Sequence, residues 1–455
     1  MEYILRDYQQ KAVDAGLGFF NNQKNKKNGI LVLPTGSGKS LVIANIAKQL
    51  NGNVVIFQPS KELLEQNYGK YISYGEFAEV YSASAGRKKI SHVTFATIGS
   101  VVNKPELFND FQYCIVDECH LVSPSEGTMY NKFFSQLKLK VLGLTATPVR
   151  MKRYNFPYPH AKICMLDRMR PKFFSEYLHI TQISEMKQNK FFADIDYISF
   201  DFNDKYLKLN STGGDYTEHS MTESIKNNSV LQNVINTYNL INEKGIIRHI
   251  LIFTASIDDA YYLQSQIGSD FCGVVTGTTP KKDRERLLIN FKSGKLKVMA
   301  NVGVLTTGFD FPELDCIIGA RPTMSLALYY QIIGRCVRPH KDKTKAYVFD
   351  FVGNFKKFGK VENLVIENKN GWMIHNGVSV LTNCDISEQT EIPEVKKEAE
   401  KSDKNNPIIN FGKHKGSHCS DIPKNYLIYC YDNFDRNTYN EPMFRYVEQN
   451  LLIKE

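Results

Sequence analysis

The chain has 455 residues, room for two full domains and a smaller third. Its net charge of +9, from 57 basic and 48 acidic residues, suits a polyanionic partner without specifying one. Nine cysteines without a C-x-x-C pair, no run of about 18 apolar residues, and a start (Met-Glu-Tyr-Ile-Leu-Arg) lacking a basic region before an apolar one argue against a disulfide framework, a membrane span and a signal peptide.

In chain order, Lys24-Asn-Lys-Lys27 reads as a solvated loop, and Gly29-Ile-Leu-Val-Leu33 has the length and β-branching of a buried strand. Leu41 to Leu50 carries apolar residues at helical spacing. Between them lies Pro34-Thr-Gly-Ser-Gly-Lys-Ser40, in the strand-to-helix setting a phosphate loop requires. Gly36 and Gly38 permit the sharp turn that aims backbone N–H groups at a β-phosphate. Lys39 can reach the β/γ oxygens, and the Ser40 hydroxyl can ligate Mg²⁺. The general pattern has Gly where this chain has Leu33, but each residue with a chemical role is present. A Gly-rich turn alone is often structural; the Lys-Ser pair and its flanks favour an ATP site.

Phe111 to Val116 is a second short strand, delivering Asp117 and Glu118 to a carboxyl end, where open parallel sheets bind ligands. Asp117 would hold Mg²⁺ through water, and Glu118 would orient or deprotonate the water attacking the γ-phosphate. A solvated Asp-Glu turn is the plain alternative. Leu142-Gly-Leu-Thr-Ala-Thr-Pro148 gives a third strand end, whose Thr145 and Thr147 hydroxyls can join the network. Arg150-Met-Lys-Arg-Tyr-Asn-Phe-Pro-Tyr158 then reads as a loop packing its aromatics on the first domain, with stacking on nucleic-acid bases as the alternative.

From Arg6 to about Asn354 the chain resembles the superfamily 2 helicases and translocases of the DExH branch. The resemblance rests on the stretches above and on Arg6-Asp-Tyr-Gln9, Gln58-Pro-Ser-Lys-Glu-Leu63, Thr97-Ile-Gly-Ser100, Ile250-Leu-Ile-Phe-Thr-Ala-Ser256, Asn301-Val-Gly-Val-Leu-Thr-Thr-Gly-Phe-Asp310 and Gln331-Ile-Ile-Gly-Arg-Cys-Val-Arg338. It implies that Arg6 and Gln9 read adenine, the Gln amide being able to pair with N6 and N7. It implies that Pro34, Thr35 and Ser37, with the rest of the loop and with Gly308 and Asp310, line the nucleotide. Gln331, Arg335 and Arg338 would reach the nucleotide from the second domain. The two arginines, three apart and so on one helix side, would serve as γ-phosphate fingers; a basic surface helix is the plain alternative. By the same resemblance Pro59, Ser60, Thr97, Thr254 and Thr306 grip a nucleic-acid backbone, and His120, Thr145 and Thr147 couple hydrolysis to it. The order of motifs, with the tail Val348-Phe-Asp-Phe-Val-Gly-Asn354, is most similar to RadD-type bacterial or phage DNA-repair ATPases.

The fold class implied is α/β, with two tandem RecA-like parallel-sheet domains plus a small C-terminal accessory domain. Residues 1–190 would form the ATP-binding lobe and 191–355 the second lobe. Alternation and an Asn-Gly turn signal in 356–385 predict a β-hairpin carrying Trp372 as a packing residue, with a wedge or duplex contact as the alternative. Residues 386–405 are charged and read as a flexible linker. In 406–455, Phe411-Gly-Lys-His-Lys-Gly416 and Asp421-Ile-Pro-Lys-Asn-Tyr-Leu427 resemble a small domain found after DnaQ-type exonucleases, which implies a further DNA contact. His414, His418, Cys419 and Cys430 match no common zinc-finger spacing.

The expectation is an ATP- and Mg²⁺-dependent DNA helicase or translocase of repair, recombination or replication. Its partners would be single-stranded or branched DNA and a single-strand-binding or recombination protein, without a membrane. It would be cytoplasmic, in a bacterial cell or phage-infected host. The alternatives are an RNA helicase, an ATPase that remodels protein–nucleic acid complexes without unwinding, and a binding module with a dead motor.

Overall fold

Short apolar runs buried on both faces become the strands of two parallel sheets, as such runs do when helices cover each face. The computed structural model describes residues 3–22, 24–154, 160–383, 406–407, 409, 414, 417–433 and 441–451. It divides into two compact units, residues 1–392 and 393–455.

In the first unit, β1 (Asn28–Val32), β2 (Val54–Phe57), β3 (Glu79–Ser82), β4 (Arg87–Lys88), β5 (Val93–Ala96), β6 (Tyr113–Val116) and β7 (Lys140–Thr145) belong to one sheet. After the pair β8 (Val149–Tyr154) and β9 (His160–Met165), β10 (Phe174–Ile180) returns to that sheet. Its order is β10-β1-β7-β6-β2-β5-β3-β4, parallel except for the β3–β4 edge. β1 is central, and the side chains of Ile30, Leu31, Val32 and Leu33 are all buried. Leu33, which replaces the usual Gly, extends the strand: its N–H donates to the Thr145 carbonyl at 3.0 Å.

The second lobe is built on β11 (Ile195–Ser199), β12 (Ile250–Thr254), β13 (Cys272–Val275), β14 (Val298–Asn301), β15 (Cys316–Ala320) and β16 (Ala346–Asp350). All neighbours are parallel, in the order β11-β16-β15-β12-β14-β13. One hydrophobic core runs through both lobes, joining residues such as Leu31 and Leu144 to Tyr330 and Ile333. The chain then forms the antiparallel hairpin β17 (Val365–Asn368) and β18 (Trp372–His375). That hairpin packs back on the first lobe, with Trp372 edge-on to Tyr177 at 4.9 Å.

One sequence expectation changes here. Residues 149–165 are not a plain loop: β8 and β9 pair antiparallel from Val149↔Met165 to Tyr154↔His160. Residues 155–159, which hold part of that aromatic stretch, lie outside the described residues, as does the 386–405 linker. In the second unit, the helices Lys424–Asn433 and Glu441–Asn450 enclose a small core of Ile409, Cys419, Leu427, Cys430, Phe444 and Val447. Cys419 and Cys430 are core thiols, and Phe411, Lys413 and Lys415 lie outside the described residues. Among the described residues no helix is long and apolar enough to cross a membrane, and their eight cysteines are free thiols.

Candidate active site

The loop after β1 runs into the helix Lys39–Gln49, with Gly38 at its N-cap. Gly36 and Gly38 both hold φ at +81°, a left-handed conformation that strains any L side chain. A Cβ on Gly38 would also meet Gln9 Nε2 at 2.6 Å. The glycines therefore turn the chain so that the helix N-terminus and its free N–H groups face a cleft. Lys39 and Ser40, from the first turn, line that cleft with Asp117 and Glu118 from the end of β6.

The charges in the cleft neutralise one another. Lys39 Nζ stands 3.6 Å from Glu118 Oε1, both side chains largely buried. Asp117 accepts from Asn67 Nδ2 at 2.9 Å and from the Glu118 N–H at 3.0 Å. Burial, then the neighbouring Glu118 charge, pushes the Asp117 carboxyl up. Burial also acts to raise Glu118, but Lys39, His120 and Arg335 outweigh it and hold Glu118 below the usual carboxylate range. The second Glu118 oxygen, 3.4 Å from His120 Nδ1, has no hydrogen-bond partner among the described residues. His120 Nδ1 is in turn 2.9 Å from Thr145 Oγ1, which accepts from the Thr147 N–H at 3.1 Å. A continuous polar path thus leads from Glu118 to the segment that starts β8.

The second lobe closes the cleft. Its helix Leu326–Ile333 brings Tyr330 to the loop, where the buried phenol oxygen accepts from the Thr35 N–H at 3.2 Å. Gly334 follows; a Cβ there would lie 2.8 Å from the Thr35 side chain and 3.0 Å from the Tyr330 carbonyl. Arg335 donates to the Phe309 carbonyl at 2.8 Å and the Gln331 carbonyl at 3.2 Å. Burial lowers it to about 10, so it stays cationic near neutral pH. Arg338 pairs with Asp310 and reaches Gly36.

Of the expected nucleotide residues, Thr35, Gly36, Gly38, Lys39, Ser40, Gly308 and Asp310 line this cleft with Arg335 and Arg338. Pro34 lines a separate apolar cavity, Ser37 is buried, and exposed Arg6 lies over the Phe191 ring. Gln9 offers no free amide edge for adenine. It is 3% exposed, donates to the Ser37 carbonyl at 2.7 Å and accepts from the Arg6 N–H at 2.9 Å, so it braces the loop. Gln331 contributes its carbonyl to Arg335, behind the cleft wall.

Among the expected backbone grips, Ser60 caps the helix Lys61–Ile72, beside half-buried Pro59. Thr97 shares hydrogens with Ser82 and Ser100 at 3.0 and 2.9 Å, and Thr306 is half-buried. Thr254 is a correction: fully buried, it gives its hydroxyl to the Ser256 and Asn301 carbonyls and presents nothing to a surface. Asn67 and Tyr330 were not singled out from the sequence. Asn67 had a signal, a polar residue in the buried stripe Leu64, Asn67, Tyr71.

The donor set fits a magnesium nucleotide. The glycine cradle, the hydroxyl of Ser40, two buried carboxylates and an unpaired Glu118 oxygen converge on one cleft.

Residues 2–150 match the family model described as type III restriction enzyme, res subunit, and residues 229–340 match the helicase conserved C-terminal domain. The chain is 25% identical, over 77% of its length, to a Saccharomyces cerevisiae protein, IRC3, provisionally assigned as an ATP-dependent helicase. The match covers 52% of the yeast protein, so the chain spans about half the length of that relative. It is 28% identical to the DNA 3'-5' translocase XPB2 of Sulfurisphaera tokodaii, over 74% of this chain and 79% of the relative. Among solved structures it resembles in fold an ATP-dependent Type ISP restriction-modification enzyme, LlaBIII, bound to DNA. There the TM-score is 0.55, with 16% identity over 77% of this chain and 28% of the other.

Proposed function

We propose that this chain, a two-lobed ATP-hydrolysing enzyme of the superfamily 2 helicase type, is a DNA motor acting in repair, recombination or replication, of the RadD-like kind. The observation that carries the reading is the opposition of Lys39, Asp117 and Glu118 on one lobe to Arg335 and Arg338 on the other, across a single cleft. Similarity to a DNA translocase over most of both chains favours DNA as the track.

Without nucleotide, Lys39 and Glu118 hold each other. An ATP β/γ-phosphate competes for Lys39, and Glu118, relieved of that charge, becomes a better acceptor for the attacking water. Ser40 and Asp117 would hold Mg²⁺, which neutralises charge on the β- and γ-phosphates. Arg335 is already aimed by two carbonyls and needs little reorganisation to meet charge on the transferring phosphoryl group. Because the arginines gain charge-assisted bonds only when the lobes close, nucleotide binding favours closure and product release favours opening. If each lobe holds the DNA backbone, that cycle moves one grip past the other.

The test is the ATPase rate with single-stranded, duplex, forked and four-way DNA and with RNA, Lys39→Ala serving as the blank. DNA should stimulate wild type, most strongly when single-stranded or branched. Stimulation by RNA alone would make the track RNA, and activity surviving in Lys39→Ala would refute the site. Arg335→Ala should retain ATP binding but lose roughly 10³-fold or more in turnover, as arginine fingers do.

A further inference from the structure

The helix Lys61–Ile72 buries a stripe made of Leu64, Asn67 and Tyr71. Leu64 and Tyr71 pack in the core, and Asn67 lies between them at helical spacing, so an amide stands where packing calls for hydrocarbon. It is 1% exposed. Its Oδ1 has no partner among the described residues, and its Nδ2 donates one hydrogen bond, to Asp117 Oδ2 at 2.9 Å. A buried polar atom without a partner is destabilising. The amide therefore works against the packing around it, and its one side-chain bond goes to the carboxylate at the end of β6.

We propose that Asn67 is a positioning residue for magnesium, fixing the Asp117 carboxylate in the orientation that the ion and its waters require. Asp117 Oδ1 accepts from the Glu118 N–H at 3.0 Å while Oδ2 accepts from Asn67, so the group is held at both oxygens and cannot turn about its Cβ–Cγ bond. An ionised carboxylate has about four lone-pair sites. Two are spent on this bracing, and the others stay free for the metal side. Asn67 does not line the cleft and acts through Asp117. The first turn of its helix meets the second lobe. Glu62 Oε1 is 3.6 Å from Arg284 Nη1, and a Cβ on Gly308 would lie 3.1 Å from Glu62 Cβ. Asn67 follows Glu62 by about 7.5 Å along the helix axis, so it ties the carboxylate to the element on which the second lobe rests. The inference rests on Ser40 and Asp117 as the metal donors proposed above. Hydrogen-bond partners of metal-holding carboxylates are typically worth about 10- to 100-fold in metal affinity. Because Asp117 would reach the ion through water, the lower figure applies.

The experiment measures the dissociation constant of a fluorescent, non-hydrolysable ATP analogue for the full chain, once in excess Mg²⁺ and once in EDTA. The ratio of the two constants isolates what the metal contributes. In Asn67→Leu that ratio should fall about 10-fold toward unity, while the constant in EDTA stays within about twofold of wild type. Asn67→Ser, too short to reach Asp117 and easier to accommodate than leucine, should give the same fall. Half-saturation of turnover by Mg²⁺ should rise by about the same factor in both variants. Equal weakening in Mg²⁺ and in EDTA would make Asn67 a packing residue and overturn the proposal, and so would an unaltered ratio. A wild-type ratio near one, with hydrolysis still abolished in Lys39→Ala, would overturn the proposal together with the metal role of Asp117, while the rest of the ATP site stands. Hydrolysis surviving in Lys39→Ala would instead remove the site itself.

Discussion

Lys343 shows how a single side chain can hold the arginines of the cleft in place. Its ammonium donates to the carbonyls of Pro312, Leu314 and Cys336 at 2.8, 3.0 and 2.9 Å, using all three hydrogens. Cys336 directly follows Arg335, so the lysine ties the segment that carries Arg335 to the chain that leads into β15. Burial lowers Lys343 to about 8. Lys343→Met should leave three carbonyls unpaired and cost about 3 kcal/mol or more, read from urea unfolding. His249 is a different case. It is 5% exposed, packs edge-on against Phe291 and Phe311, and has no partner for either ring nitrogen among the described residues. Burial holds its pKa below the ordinary 6.5. The unfolded chain therefore takes a proton that the folded one refuses, and stability falls as the pH drops from 6.5 through the folded value. His249→Phe should flatten that acid loss in melting temperatures taken between pH 7.5 and pH 5, a range chosen to bracket the ordinary imidazole pKa at about 6.5.

At the scale of elements, the helix Leu326–Ile333 and the phosphate loop touch at Gly334, where the φ is ordinary and the demand is purely for space. Gly334→Ala inserts a methyl group between Thr35 and the Tyr330 carbonyl. At about 1–3 kcal/mol for overpacking, single-turnover hydrolysis should slow roughly 10- to 100-fold if the strain falls on the closed state. The loop itself was legible in the sequence because a strand, two glycines and a helix start are all local. What Gln9 does was not. Its partner Ser37 is 28 residues away, and only the fold decides whether the amide meets adenine or the loop carbonyl. Thr254 was misjudged for a similar reason, since a hydroxyl at a strand end can turn inward to neighbouring carbonyls as readily as outward. The β8–β9 pairing was obscured because Pro157 and Pro159 interrupt the alternation that would have announced it.

For the whole molecule, the lobes are joined twice. The chain crosses from β10 to β11 through the helix Ile183–Gln188, and it returns through β17 and β18. Gln182 recognises the returning backbone with both ends of its amide, donating to the Ile366 carbonyl at 2.6 Å and accepting from the Ile366 N–H at 3.1 Å. Trp372 against Tyr177 adds apolar contact beside it. Gln182→Ala combined with Trp372→Ala should broaden the distribution of distances between spin labels on the two lobes without unfolding either. An unchanged distribution would show that the return hairpin does not restrain them.

Both attachments fall along one margin, because β10 is an edge strand of the first sheet and β11 an edge strand of the second. A door hung on two hinges swings about one line, and its travel grows with distance from the jamb. In the motor proposed above, the opposite margins, β4 in the first lobe and β13 in the second, would sweep the widest arc for any given change at the nucleotide. The same turn of the lobes would yield a short throw near β10 and a long one toward β4. The stride of such a motor would be set by how far across the sheets its cargo lies.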